Sequence, residues 1–166
     1  SRRMSSSLTK LFLQLKRKLS SGELTLRPQV LSHYAGDKWF ASHLPDAVAR
    51  PRTTQSVATI LRFAHRHSLP VTARGAGHGY VGGCVPLRGG IVLSLERMNR
   101  ILEIDEVNAT VHVEAGIVTA DLQTAVEKRG LFYPPDPSSI RHSTIGGNIA
   151  CNAGGPRCLK YGVTGD

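Results

Sequence analysis

The residues best suited to chemistry in this chain of 166 form a run of closely spaced glycines. Residues 73–83 read Ala-Arg-Gly-Ala-Gly-His-Gly-Tyr-Val-Gly-Gly, so five of the nine residues 75–83 are glycine. Glycine tolerates a positive φ and has no Cβ, so consecutive backbone N–H groups can point into one concavity and bind anionic oxygens. With Arg74 beside it, the loop predicts a site for a phosphorylated ligand; a tight turn with incidental glycines is the alternative.

Two well-known phosphate motifs do not fit this loop. Gly77-x-Gly79-x-x-Gly82 matches the dinucleotide-binding fingerprint, but that motif must open a helix. Here the sequence Gly83-Cys84-Val85-Pro86 follows and cannot form a helix, because proline lacks the N–H and clashes with the preceding turn. A P-loop is also excluded, since no Gly-Lys-Ser/Thr occurs.

A second polar, glycine-rich region follows from residue 133 to residue 166. Its first part, Pro134 to Ser139, predicts a rigid turn that presents hydroxyl groups and a carboxylate. Thr144 to Asn148 and Asn152 to Gly155 then bring bare backbone and two side-chain amides. The whole region is predicted to be turn-rich. Two such regions favour a long ligand held at two places over a lone phosphate.

Strands and helices alternate between and around these regions. Val111 and Val113 alternate with polar neighbours, as in a half-buried strand. The helix that begins at 51–54 is predicted to bury Val57, Ile60, Leu61 and Ala64. Strands are predicted at 47–49, 70–73, 91–95, 101–104 and 109–114, and a second helix at 119–129, followed by Gly130.

The N-terminal residues 1–22 carry six basic residues and no acid, with apolar residues at helical spacing. This predicts an amphipathic helix that ends at Ser20-Ser21-Gly22. It is typical of an organelle transit peptide or of a lead helix docked on the body, and we favour the docked helix. We therefore divide the chain into an N-terminal helical lead, 1–42, and a second domain, 43–166. Because the chain stops at residues 162–166 with no closing helix or cap, we expect a cut at Asp166.

Composition narrows the class of protein. Lys and Arg outnumber Asp and Glu by 21 − 12 = 9, so the surface attracts anions. Nucleic acid is not expected as a partner, because the aromatic residues do not interleave with the basic ones. Three cysteines without a secretory signal favour reduced thiols and a cytoplasmic location. No histidine spacing predicts a metal, and no apolar run approaches the roughly 18 residues of a membrane span.

Six ordered blocks of the sequence together resemble the FAD-binding domain of the vanillyl-alcohol oxidase / p-cresol methylhydroxylase flavoprotein superfamily. The branch that it resembles most is the glycolate oxidase flavoprotein subunit and D-lactate dehydrogenase group. The blocks are Pro-Val-Thr-Ala-Arg-Gly-Ala-Gly-His-Gly (70–79), 92–105, 113–117, Tyr-Pro-Pro-Asp-Pro-Ser-Ser (133–139), Thr-Ile-Gly-Gly-Asn-Ile-Ala-Cys-Asn-Ala-Gly-Gly (144–155) and 159–164.

The resemblance implies an α+β fold, an FAD-binding domain of two α/β subdomains with the cofactor between them and its C-terminal part missing. The backbone of 75–79 would bind the pyrophosphate, the 135–155 residues would line the flavin and ribityl chain, and Tyr161-Gly162 would close the adenine side. The predicted FAD-binding residues are Arg74, Gly75, Ala76, Gly77, His78, Gly79, Pro135, Asp136, Ser138, Ser139, Gly146, Gly147, Asn148, Asn152, Gly154, Gly155, Tyr161 and Gly162.

The resemblance also implies an oxidoreductase that oxidises a small 2-hydroxy acid, such as glycolate or D-lactate, by hydride transfer to flavin N5. In this family the catalytic base and the substrate-binding residues lie in a later domain, so no catalytic residue is assigned. The electron acceptor or partner subunit is left open. The expected location is the cytoplasm, with peripheral attachment to an inner membrane as a variant.

One residue departs from the glycolate oxidase and D-lactate dehydrogenase pattern. Close relatives in that branch usually carry a small hydroxyl residue where this chain has His78. The loop is similar here to branches in which the histidine bonds the flavin covalently. The alternatives are therefore an FAD-dependent oxidase of another branch, with covalent histidyl-flavin and an alcohol or sugar as substrate, or a basic anion-binding module. We favour non-covalent FAD.

Overall fold

The computed structural model describes residues 5–165, which divide into two compact units at Arg97 and Met98. Arg2 and Arg3 of the basic start, and Asp166, where a cut was expected, lie outside the described residues. The domain boundary predicted between residues 42 and 43 stays a prediction. The predicted N-terminal lead is part of the same unit as the first four strands.

The first unit is built on a four-stranded mixed sheet in the order β1-β2-β4-β3. Strand β4 pairs in parallel with both β2 and β3, and β1 pairs antiparallel with β2. Strands β2, β3 and β4 confirm the strands predicted at 47–49, 70–73 and 91–95 to within one residue at either end. The strands are β1 (Leu24–Thr25), β2 (Ala47–Ala49), β3 (Val71–Arg74) and β4 (Ile91–Ser94).

Two helices cover one face of this sheet. Helix α1 (Ser6–Lys16) and helix α3 (Thr54–Arg66) pack on one hydrophobic cluster with alternate residues of the strands, as the period of two requires. The short helix α2 (Pro28–His33) packs on the other face. The fully buried members of the main cluster are Phe12, Leu15, Ala47, Ala49, Ile60 and Ile91.

Two details of these helices correct the sequence-based expectations. Helix α1 ends at Lys16, one turn before the predicted Ser20-Ser21-Gly22. In α3, Leu61 is 44% exposed and Phe63 is buried in its place. Residue 61 lies about 100° around the helix from the buried Ile60, so it points to the edge of the packed face.

The second unit contains one antiparallel pair of strands and three helices. Strand β5 (Ile101–Asp105) pairs with β6 (Thr110–Val113), and helix α4 (Thr119–Glu127) follows and ends before Gly130, which has φ +74°. The core of this unit contains Ile117, Leu122, Val126 and Ile145. With the first unit, this confirms the predicted α+β class.

Residues 133–166, predicted to be turn-rich, also contain two helices that the sequence patterns did not indicate. They are helix α5 (Ile145–Cys151) and helix α6 (Cys158–Tyr161). Helix α5 forms because the Thr144 hydroxyl accepts a hydrogen bond from the Gly147 N–H, which is a helix N-cap. Gly146 and Gly147 have low helix propensity, so the sequence alone did not indicate a helix here.

The cysteines at positions 84, 151 and 158 are free thiols. Among residues 5–165, no helix is both long enough and apolar enough to span a membrane.

Candidate functional site

The glycine loop, residues 74–83, leaves strand β3 and has the backbone conformation that its glycines permit. Gly77 has φ +71° and Gly82 has φ +70°, values that side-chain-bearing residues rarely adopt. Gly79 differs, because its φ is not in that range and no atom beyond its two chain neighbours lies within 4 Å of an ideal Cβ there. Nothing inside the protein requires glycine at 79. The loop is open to a ligand at that position.

Arg74 supports the loop from behind. Its guanidinium donates hydrogen bonds to the Gly36 carbonyl oxygen at 2.5 Å and to Cys84 Sγ at 3.3 Å. Its Cζ also lies 5.5 Å from the centre of the Tyr34 ring. A Cβ on Gly77 would overlap this guanidinium. These contacts give Arg74 a structural role under Gly77.

Two further side chains near the loop have internal partners. His78 Nδ1 lies 3.3 Å from the Ala76 carbonyl oxygen. Burial raises the pKa of the Cys84 thiol, although Arg74 acts in the opposite direction. The raised pKa keeps this thiol protonated and poorly nucleophilic at neutral pH. The contact with Ala76 does not distinguish a covalent from a non-covalent role for His78.

A short segment, residues 36–39, clips the glycine loop in place. The Asp37 carboxylate accepts hydrogen bonds from the N–H of Gly82 at 2.9 Å and of Trp39 at 2.7 Å. The Lys38 N–H donates to the Gly79 carbonyl oxygen at 3.1 Å. Sequence reasoning missed this clip segment. Its one local signal is an aspartate two residues before the amide that it caps, which is a common turn feature.

The clip segment and the glycine loop line an open cavity of about 420 Å³ within the first unit. It receives four of the predicted site residues, Arg74, Ala76, Gly77 and His78. The other lining residues, none of them predicted, are Ser32, His33, Gly36, Asp37, Lys38, Trp39, Ala41 and Ser42. The sequence-predicted loop therefore forms one wall of this cavity.

In the second unit, two of the predicted residues touch each other. A Cβ on Gly155 would overlap the backbone carbonyl of Asp136, so the two chain segments cross in direct contact. The Asp136 carboxylate pairs with Arg157 at 3.4 Å, and the Arg157 guanidinium lies 5.2 Å from the Phe132 ring centre. This crossing fixes the turn that begins at Pro134.

Helix α5 carries three predicted residues, and two of them are in tight internal contacts. A Cβ on Gly146 would lie 2.8 Å from Ala115 Cβ, so this glycine allows the helix to approach the end of strand β6. Asn148 is 2% exposed, and its amide donates to Thr119 Oγ1 at 2.7 Å. Thr119 Oγ1 in turn donates to the Ser143 carbonyl oxygen. Asn148 thus anchors the helix.

The remaining predicted residues lie along the same segment. The Pro135 carbonyl oxygen accepts from the Gln123 amide at 2.9 Å. Asn152 ends α5 with φ +46°, and its side-chain oxygen accepts from the Gly165 N–H. Ser138 is exposed and Ser139 half-buried, Gly154 packs on Cys158 Sγ, and Gly162 ends α6 with φ +79°.

Tyr161 stands at the surface of the second unit, 42% exposed. Its ring meets Phe132 edge-on at 5.6 Å, and Lys160 Nζ lies 4.7 Å from its centre. Interaction with the Tyr161 side chain raises the pKa of Lys160. The exposed ring and the adjacent cation are available to a ligand.

The model of the family described as "FAD binding domain" matches residues 45–166. This chain belongs to that family. Its cofactor is FAD, and the residues of the glycine loop fit the diphosphate of this group, because the backbone at Gly79 has the open space that an approaching phosphate needs.

Two curated relatives are similar to this domain in sequence. It is 54% identical over 123 residues to the glycolate oxidase subunit GlcD of Bacillus subtilis, and 43% identical over 122 residues to D-lactate dehydrogenase of Anaerostipes hadrus. Each match covers 74% of this chain and 26% of the relative. The chain thus spans about a quarter of the length of these relatives.

The FAD-binding domain also superposes on alkyldihydroxyacetonephosphate synthase with a TM-score of 0.89 at 22% identity. That match covers 100% of this chain and 32% of the synthase. At this identity the likeness shows the fold. With the family match and the two relatives, it confirms the resemblance to the vanillyl-alcohol oxidase / p-cresol methylhydroxylase superfamily.

Proposed function

We propose that this FAD-binding domain serves a flavin-dependent oxidoreductase that oxidises a small 2-hydroxy acid, such as glycolate or D-lactate. The observation that carries the proposal is the identity of 54% and 43% to a glycolate oxidase subunit and a D-lactate dehydrogenase. Both relatives are named for acids with a hydroxyl group on the carbon next to the carboxylate. The electron acceptor stays open.

The first unit would bind the diphosphate of FAD. Ala76, Gly77 and His78 line the cavity, and the neighbouring Gly79 leaves space for close approach. Arg74 would act as a positioning residue, because its Nη1 group already donates to Gly36 and Cys84. His78 lines the same cavity and would donate a hydrogen bond there, with covalent attachment to the flavin as the alternative.

The second unit would contribute contacts along the flavin and the ribityl chain. Pro135, Asp136, Ser138 and Ser139 lie on the turn that the Asp136–Gly155 crossing holds in shape. Gly146, Gly147, Asn152 and Gly154 would bring backbone to the cofactor. Asn148 would serve through the position of α5, since its amide is bound to Thr119. Tyr161 and Gly162 would face the adenine side.

When bound, the flavin supplies a hydride acceptor at N5. The residues of this chain would bind and orient it, through the backbone of the glycine loop and the polar turn at 134–139. Removal of the substrate hydroxyl proton needs a base, and we assign none within residues 1–166. We also retain 43–166 as the proposed extent of the FAD-binding domain, and the cytoplasmic location stays a prediction.

Purification of the full-length protein tests the proposal. We expect a yellow protein with the visible absorption of oxidised flavin, which anaerobic glycolate or D-lactate bleaches and a primary alcohol or a sugar does not. Acid precipitation should release the flavin, as non-covalent binding requires. A colourless protein that takes up no FAD would contradict the proposal. Bleaching by alcohol or sugar alone, with flavin retained on His78, would favour the covalent oxidase.

A further inference from the structure

Arg74, the cation within the glycine loop, is held by internal contacts with neutral partners. The diphosphate of FAD is anionic, and backbone N–H groups offer only partial charges to it. The Arg74 guanidinium donates to the Gly36 carbonyl and the Cys84 thiol and stacks near Tyr34. The protein's own groups therefore hold the Arg74 guanidinium beneath Gly77.

Lys38 is the lysine among the residues that line the cavity. Its backbone N–H is hydrogen bonded to the Gly79 carbonyl oxygen, so its Cα is fixed beside the open glycine. Its side chain is exposed, and within residues 5–165 no ion pair engages its ammonium group. The fold thus places a flexible cation next to the backbone that would approach a phosphate.

The neighbouring carboxylate does not cancel this charge by pairing with it. Both oxygens of Asp37 accept backbone N–H groups, from Trp39 and from Gly82. Those bonds hold the clip segment against the loop and direct the carboxylate to the backbone. Asp37 therefore holds the clip segment in shape, and the Lys38 ammonium is the charge of the clip segment that forms no ion pair within residues 5–165.

We propose that the Lys38 ammonium binds the diphosphate of FAD. The proposal rests on the proposed function, since it assumes that the glycine loop binds that group. Lysine supplies a compact charge with three rotatable donors, which suits a phosphate oxygen without demanding a fixed geometry. The contact that fixes the loop uses the Lys38 backbone and not its side chain, so the charge can be removed with the clip intact.

The test is a Lys38→Gln substitution in the full-length protein, stripped of flavin. We expect the dissociation constant for FAD to rise about tenfold, as for loss of one charge-assisted hydrogen bond. Affinity for riboflavin, which lacks both phosphates, should stay unchanged, and so should the thermal unfolding temperature. Lys38→Arg should retain most of the affinity. Lys10→Gln, on the exposed side of α1, is the matched control and should change none of these values.

The outcomes separate the two proposals. If the unmodified protein binds no FAD, the proposed function fails. If it binds FAD and Lys38→Gln binds it equally well, the assignment of Lys38 is overturned while the proposed function stands. Equal loss of FAD and riboflavin affinity would also overturn the assignment, since it would place Lys38 away from the phosphates.

Discussion

The glycine loop at 74–83 and the glycine-rich stretch at 144–155 have similar compositions and use their glycines for different reasons. In the loop, Gly79 faces open space, and Gly77 and Gly82 adopt positive φ. In the stretch at 144–155, Gly146 and Gly155 stand where a Cβ would meet protein atoms. The loop has, at Gly79, a glycine where a ligand can approach, although Gly77 packs on the Arg74 side chain, whereas Gly146 and Gly155 lie where backbone packs on the protein itself.

This difference changes what a glycine count means. Both regions predict phosphate-type concavities from sequence, because missing side chains expose the backbone in either case. The structure shows that a missing Cβ can equally be required by a neighbouring chain segment. Only space that stays open after folding, as at Gly79, argues for a ligand.

The largest effect is expected from Gly155→Ala. Its Cβ would overlap the backbone of Asp136, which cannot move aside like the end of a flexible side chain. We expect a loss of about 3 kcal/mol in the free energy of unfolding, at the upper end of overpacking. Denaturant unfolding of the full-length protein measures it.

Gly83→Ala is the control from the glycine loop. An added Cβ there meets only Val81 Cγ2 at 3.8 Å, and φ is not in the left-handed range. We expect it to unfold like the unmodified protein. If Gly155→Ala proved as harmless, close packing would not explain the glycines of the second region.

A smaller effect, with a defined pH dependence, is expected at the ion pair beside the helix α5 contact. Glu114 precedes Ala115, on which Gly146 packs, and its buried carboxylate accepts hydrogen bonds from the Arg100 backbone and guanidinium. Those donors lower the pKa of Glu114. A lowered folded-state pKa adds stability that is present above the unfolded pKa and is lost as pH falls through the folded one.

Arg100→Gln should therefore destabilise the protein at neutral pH by less than Gly155→Ala does. The difference from the unmodified protein should shrink as pH falls below the ordinary range for glutamate, about 4.3. Unfolding measured at a series of pH values from neutral to acid tests this. A difference that is the same at every pH would mean that the carboxylate charge contributes nothing.

Much of the fold is predictable from the sequence because the local patterns agree with the tertiary structure. Val111 and Val113 alternate with polar residues, and β6 forms there. The helix at 54–66 has both a threonine cap and an apolar face. Spacing alone predicts Leu61 on that face, but its position around the helix leaves its side chain 44% exposed.

The site was less predictable, because its decisive contacts join residues far apart in sequence. The clip segment lies some 40 positions before the loop, and no spacing links Asp37 to Gly82. Arg74 has a suitable charge for an anion, yet its partners are Gly36 and Cys84. Helix α5 was missed because Gly146 and Gly147 outweighed the cap at Thr144.

The most direct test of the central claim, that the open glycine loop binds FAD, is Gly79→Val, measured for FAD affinity and unfolding side by side. Because Gly79 is exposed, with no strained φ and no neighbour at its Cβ, we expect the free energy of unfolding to change by no more than about 0.5 kcal/mol. The dissociation constant for FAD should rise at least about tenfold, since the valine would occupy the space for the diphosphate. Unchanged FAD affinity in a stably folded variant would contradict the account.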